Sequence, residues 1–404
     1  MVKRAVLVGC NYPGTRNQLS GCVNDVTNMR KVLTDIYGFD KKNILFMVDT
    51  DPTSIRPTGR NITKQLGDAI KASKAGDILY FHFSGHGGQI PAESGFPEDD
   101  GEDECIYPTD LNPMTDDSFR ILLSKLDPGV IFTFVSDSCH SGGLLDSAEL
   151  QVGVGEKDEV GPETESTRAA VAMTTSQKTL NAKELPVSSL IEHLSEVSGH
   201  EVNVGTIRVT LYELFKADAS PTVKVFVKNM TSPLEEGIPE EEWGKSYNEV
   251  GISALKELKK VWDDETINND EYFHSARTVD GPLHFSGFAN AKPAGETLPP
   301  STAILVSGCE SDQTSADVPS ASGAFGALSN AVETVVRKYK GKVTNKKLVN
   351  EVRALMVQED LDQRPCLYCT DDKVNVNFVT GVNYQDAGNS RNAHLSKVSR
   401  FLEE

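Results

Sequence analysis

Asp77-Ile78-Leu79-Tyr80-Phe81-His82-Phe83-Ser84-Gly85-His86-Gly87-Gly88 is an apolar run stopped by a polar, glycine-flanked tail. The apolar part reads as a buried strand over 77–83, and the tail as the loop at its carboxyl end. A second unit of the same design follows. Residues 130–135 form another apolar strand, which runs into Ser136-Asp137-Ser138-Cys139-His140-Ser141-Gly142-Gly143. Outward from these two, 5–10 and 43–48 read as further strands. Helical spacing marks 22–36 (Val23, Val26, Met29, Val32, Leu33), 61–72 (Ile62, Leu66, Ile70) and 115–126. Strands alternating with helices predict an α/β fold, a mainly parallel sheet flanked by helices on both faces.

The middle of the chain differs. Residues 151–180 are rich in Gly, Glu, Ser and Thr, and 232–300 are acid-rich with several prolines. Helical signal survives between them, over 187–215 (Leu190, Ile191, Leu194). We read 151–300 as a long linker, partly helical and partly mobile. Globular signal returns with a strand at 303–309, helices at 324–337 and 345–355, and candidate strands at 364–369 and 374–379. The expected organisation is a first sheet segment at 1–150, the linker at 151–300, and a smaller segment at 301–404 that completes the sheet.

The 404 residues carry 40 Lys+Arg against 59 Asp+Glu, a net charge of −19. That balance disfavours a nucleic-acid binder, which needs a basic footprint, and an anionic-membrane binder. No run approaches the length of a membrane-spanning helix. The apolar run Ala5-Val6-Leu7-Val8 is too short for a secretion signal. Seven widely spaced cysteines, an odd number, then suggest reduced thiols in a cytoplasmic protein, one of them a candidate nucleophile. Cys366 and Cys369 form a lone CxxC without a second pair, which disfavours zinc.

In open parallel sheets, ligands bind at the carboxyl ends of the strands. His86 and Cys139 both lie there, and a His about 50 residues upstream of a nucleophilic Cys is the spacing of caspase-type proteases. Flanking glycines let the backbone approach a substrate and aim N–H groups at a developing oxyanion. His140 adjoins Cys139 and points to the other face of an extended segment, so it is a poor base for its neighbour. A buried structural thiol is the plain alternative for Cys139.

Three motifs resemble those of a metacaspase: Ser-Gly-His-Gly around His86, Asp-Ser-Cys-His-Ser-Gly-Gly around Cys139, and Ser-Gly-Cys-Val-Asn-Asp around Cys22. The long linker, the stretch from Ser307 to Asp317, and Gln363-Arg364-Pro365 resemble the type II branch of plants and green algae. The resemblance implies a caspase-like fold and a monomeric cysteine endopeptidase that cuts protein or peptide substrates after Arg or Lys. It gives His86 and Cys139 the catalytic roles in a dyad, with Gly87 and Cys139 N–H groups at the oxyanion. It lines the S1 pocket with Asp25, Asp137, Cys22 and Ser84. Two carboxylates beside the nucleophile suit a guanidinium or ammonium on chemical grounds as well. An ordinary first-turn helix charge is the plain alternative for Asp25.

Between 87 and 119 there is no Lys or Arg and a long series of acids. Hard oxygen donors without a cysteine cluster point to Ca²⁺ if any metal binds. The resemblance places calcium ligands at Asp103, Asp116, Asp117 and Asp146, and separately the acids at 98–100 suggest to us a second, weaker site. It also implies a self-inhibited zymogen in which a basic linker residue blocks the site until it is cut. Lys224, in Thr222-Val223-Lys224-Val225-Phe226, is our choice for that residue. A catalytically silent, calcium-responsive scaffold is the competing reading. Programmed cell death is one process compatible with the family.

Overall fold

The computed structural model describes residues 1–91, 102–141, 144–145, 150–152, 181–279, 303–309, 314–320 and 323–382. Its strands are β1 (Lys3–Gly9), β2 (Ile44–Val48), β3 (Ile78–Ser84), β4 (Gly87–Pro91), β5 (Glu102–Ile106), β6 (Met114–Thr115), β7 (Ile131–Asp137), β8 (Leu150–Val152), β9 (Asn181–Ala182), β10 (Ala303–Ser307), β11 (Ala316–Val318), β12 (Phe325–Gly326) and β13 (Cys366–Tyr368). Seven of them form the central sheet in the order β2-β1-β3-β7-β10-β13-β8. The pairs from β2 through β10 are parallel, while β13 runs antiparallel to both its neighbours. The sheet is therefore mixed but mainly parallel, and β10 from the far end of the chain completes it.

Register aligns the chemistry. Gly9 pairs with Ser84, Ser84 with Asp137, and Ser136 with Ser307, so four strands end in one row. Alternation along the strands sends side chains to two cores. Val6, Val8, Leu79, Phe81, Phe83, Phe132 and Phe134 face one side. Ala5, Leu7, Ile78, Tyr80, Val135, Ile304 and Val306 face the other. Helices α1 (Cys22–Asp35), α2 (Gly59–Ala72) and α3 (Asp116–Leu123) follow the expected positions. Of these, α1 covers the second face, and α2 and α3 cover the first.

The linker departs from expectation. Helices α4 (Val187–Ser198), α5 (Ile207–Phe215), α6 (Pro221–Glu235) and α7 (Glu249–Trp262) pack as a group. Their Leu190, Leu211, Phe226, Met230 and Leu255 join the same core as Phe81 and Phe134. Each such side chain contributes about 1.5–3 kcal/mol when fully buried. The acid-rich stretch at 232–300 holds α7, whose Ala254, Leu255 and Leu258 are buried and whose first turn is capped by the Asn248 side chain. Its exposed residues are Glu249, Lys256 and Lys260.

Helices α8 (Ala327–Lys338) and α9 (Asn345–Gln358) cover the second face. The strand expected at 374–379 is not one. Asp371–Val374 is a helical turn, and only Asn377 makes an isolated bridge, to Thr344. Apolar Val374, Val376 and Phe378 alternate with Asn375 and Asn377 in the sequence, which mimics a strand, but 376–379 are all buried and Val379 at φ 67 turns the chain away.

Candidate active site

His86 follows β3 and Cys139 follows β7, on neighbouring strands. A methyl group on Gly87 would overlap the Cys139 carbonyl, so only glycine lets the two loops approach this closely. His86 Nε2 donates to the Asn17 carbonyl at 2.7 Å. A carbonyl only accepts, so Nε2 carries the proton and Nδ1 keeps the lone pair. Nδ1 is buried and receives no hydrogen bond among the described residues, and the Lys183 backbone lies beside the ring. Burial holds the imidazole below its usual pKa, which keeps the ring neutral. Tyr12 supports it from behind. Its hydroxyl accepts the His86 N–H at 2.8 Å, and its ring lies 4.7 Å from the imidazole.

The Cys139 thiol is buried and accepts the Ser315 N–H at 3.0 Å. It also shares a hydrogen bond with the Cys309 thiol, which sits just beyond the neighbouring β10. Burial, and then Cys309, push the Cys139 pKa well above its ordinary value. The same hydrogen bond pulls Cys309 down.

The pocket beside this thiol is already filled. Lys183, fully buried, places Nζ 2.9 Å from Asp137 Oδ1, 3.4 Å from Asp25 Oδ2, 3.0 Å from Ser84 Oγ and 3.2 Å from the Asp137 carbonyl. Ser84 Oγ in turn donates to Asp25 Oδ2 at 2.7 Å. Burial alone would lower the lysine's pKa, but Asp137 and Asp25 outweigh it and hold the ammonium charged. Burial pushes Asp25 up to about 7 against the pull of that ammonium. Cys22, at the start of α1, is buried close enough to Lys183 and Asp25 to feel both charges. The structure thus brings together Asp25, Asp137, Cys22 and Ser84 around one basic side chain.

The backbone of this segment lies as an extended peptide across the site. Asn181 and Ala182 form β9, paired antiparallel with β11. The Lys183 N–H donates to the Ser315 carbonyl at 2.8 Å, and the Gly87 N–H donates to the Lys183 carbonyl at 2.9 Å. The Leu185 N–H donates to the Gly87 carbonyl at 2.9 Å, and Glu184 lies 3.8 Å from His140 Nε2. The Lys183–Glu184 peptide is therefore the one presented between Gly87 and the thiol. Gln363 fixes the Ser315 segment, donating to the Gly308 carbonyl at 2.6 Å and accepting the Ala316 N–H at 3.1 Å.

The acidic positions are spread around the first turn of α3 and the adjoining β5. Asp103 pairs with Arg208 of α5 at 2.9 Å. Asp117 pairs with Arg120 and accepts the Thr222 hydroxyl at 3.2 Å. Burial raises Asp117 to about 6, Arg120 opposes the rise, and Asp103 adds to it. Asp116 is half-buried beside them. Asp146 and 98–100 lie outside the described residues. Among the described residues, no three His, Cys, Asp or Glu side chains converge as a metal-binding group.

Lys224 is not at the pocket. It sits within α6 with Nζ on the Ala217 carbonyl at 3.1 Å. The sequence carried the signals that separate the two lysines. Ser220-Pro221 is an N-cap followed by N1 proline, and Val223, Phe226, Val227 and Met230 have helical spacing. A protease site binds extended backbone, and Lys183 lies in a non-helical stretch ending at Pro186, whose predecessor is biased to extended geometry. Asn17, Tyr12, Ser315 and Cys309 had no comparable signal, because loops far apart in sequence bring them in.

Comparison with known proteins fits this geometry. A family model described as metacaspase, peptidase C14 domain, matches residues 3–148. Metacaspase-6 of Arabidopsis thaliana is 39% identical over 391 residues, covering 94% of this chain and 100% of the relative. Metacaspase-7 and Metacaspase-4 of the same plant are each 36% identical with the same coverage. Among solved structures, protein GSU0716 from Geobacter sulfurreducens superposes with a TM-score of 0.50 at 18% identity, covering 95% of this chain and 100% of that one. That likeness bears on the fold alone.

Proposed function

The chain belongs to the metacaspase family, and from that premise we propose a calcium-dependent endopeptidase that cuts after Arg or Lys and is made as a self-blocked precursor. Its class is a caspase-like cysteine protease of the plant type, acting on proteins. One observation carries the finer reading. A lysine of the chain's own linker lies between Asp25 and Asp137 with its carbonyl on the Gly87 N–H.

In this mechanism Nδ1 of His86 takes the Cys139 proton, and the thiolate attacks the carbonyl after the basic residue. The Gly87 N–H, with that of Cys139, stabilises the oxyanion, a contribution of about 2.7–4 kcal/mol per donor in comparable sites. His86 then protonates the leaving amine and activates water to clear the acyl-enzyme. The imidazole performs both steps from one position because the Asn17 carbonyl fixes its tautomer.

We place self-cleavage after Lys183 rather than Lys224. Residues 1–150 and 301–404 then form one catalytic unit guarded by the linker at 151–300. Asp103 and Asp117 are hard oxygen donors, close enough for each to feel the other's charge. With Asp116 and Asp146 they would hold calcium, which would supply the positive charge that Arg208 and Arg120 now provide.

Peptides ending in Arg, Lys, Ala or Asp, offered with calcium or a chelator, test the reading. Calcium-dependent cleavage of the Arg and Lys peptides is expected, with none in Cys139→Ala. Undiminished cleavage by that variant would sink it. No helix among the described residues is long and apolar enough to cross a membrane.

A further inference from the structure

Both pocket carboxylates are held from behind by one helix, contributed by the far end of the chain. The Gly326 N–H donates to Asp25 Oδ1 at 2.8 Å. The Ser329 N–H and hydroxyl both donate to Asp137 Oδ2, at 2.8 and 2.6 Å. We propose that the N-terminus of α8 is the floor of the basic-side-chain pocket, with Gly326 setting its specificity and Ser329 positioning Asp137. The proposal rests on the Arg/Lys reading and deepens it.

Ser329 has one hydroxyl proton and gives it to Asp137. Its oxygen must then accept from His82 Nε2, 3.0 Å away. His82 is fully buried, and burial lowers its pKa to about 4, so the ring is neutral. Its Nδ1 is left to accept the Tyr80 hydroxyl at 3.4 Å. Every proton in the series Tyr80, His82, Ser329 therefore points toward Asp137. Oδ2 is occupied by two donors, and Oδ1 faces the incoming cation. A charged His82 would compete for the same carboxylate, which its burial prevents.

Gly326 acts by absence. Its φ of −74° is open to any residue, so no backbone strain demands glycine. A methyl group there would instead overlap Lys183 Nζ, Asp137 Oδ2 and Asp25 Oδ2 at once. Two of those atoms belong to the carboxylates and the third to the bound cation. Gly326→Ala therefore crowds the space that a lysine or arginine tip occupies and pushes on both carboxylates, without backbone strain in the helix.

The test measures kcat and KM of the full-length active enzyme on matched peptides ending in Arg, Lys and Ala. Iodoacetamide alkylation of Cys139 and thermal unfolding serve as folding controls. Gly326→Ala is expected to lose about 100-fold or more in kcat/KM on Arg and Lys peptides while Cys139 remains alkylatable. Ser329→Ala is expected to raise KM about 10-fold with kcat within twofold, and Ser329→Thr to restore KM. The Ser329 pair decides the matter should Gly326→Ala not fold. Cleavage of Arg and Lys peptides by Gly326→Ala within threefold of wild type, or an unchanged KM in Ser329→Ala, overturns the proposal. A wild-type enzyme with no preference for Arg or Lys over Ala overturns the underlying reading and this one with it.

Discussion

Lys183 Nζ and Asp137 Oδ1 meet at 2.9 Å with neither side chain exposed to solvent. Removing one partner of a buried pair typically costs about 3–5 kcal/mol, because the remaining charge is stranded. Lys183→Met should therefore loosen the linker from the pocket. We expect the intact variant chain to react with a lysine-directed chloromethyl ketone at Cys139 at least tenfold faster than wild type, and Lys183→Arg to stay blocked. Equal labelling of all three chains contradicts the self-block.

Asp25 should show in the pH profile. Burial raises Asp25 to about 7, so its charge appears only as pH rises through that value. KM for Arg and Lys peptides should then fall as pH rises through about 7, and Asp25→Asn should flatten that limb. Asp137→Asn should cost about 100-fold in kcat/KM. Steady-state kinetics between pH 6 and 8.5 (a range chosen to bracket about 7) checks both.

His82 makes a stability prediction. Its folded pKa, lowered by burial to about 4, lies below the ordinary 6.5. The unfolded chain therefore binds this proton first as pH falls. The stability tied to the neutral ring is full above about 6.5 and is lost as pH falls through about 4, roughly 3 kcal/mol in all. Urea unfolding at pH 7 and pH 5 should show a smaller acid loss in His82→Gln than in wild type. Identical losses would remove His82 from the account.

The Arg208–Asp103 pair ties α5 of the linker to the acidic region. Arg208 is buried while Asp103 is partly exposed, so we expect Arg208→Gln to cost about 1–3 kcal/mol. Thermal unfolding in the Cys139→Ala background should show that deficit with a chelator and a smaller one with calcium. An equal deficit in both conditions argues against calcium binding near Asp103.

The sheet, the loops carrying His86 and Cys139, and the pocket acids were legible because each is local. An apolar run ends in a polar, glycine-flanked tail, and parallel register brings the ends together. What closes the site was not local. Ser329 and Gly326 reach Asp137 and Asp25 from about 190 and 300 residues away, through a helix whose own sequence shows only an apolar stripe. Lys183 was passed over because its burial comes from Ser84, Asp25, Asp137 and Gly326, about 45 to 160 residues away in sequence. The strand expected at 374–379 failed because apolar residues alternating with asparagines also fit a buried turn, here closed by Val379 at φ 67.

The most direct measurement is intact-mass and peptide mass spectrometry of the full-length chain after calcium addition, with Cys139→Ala alongside. The account predicts a first cut after Lys183, dependent on calcium and absent from the variant. A first cut at another residue, or the same cut in Cys139→Ala, contradicts it.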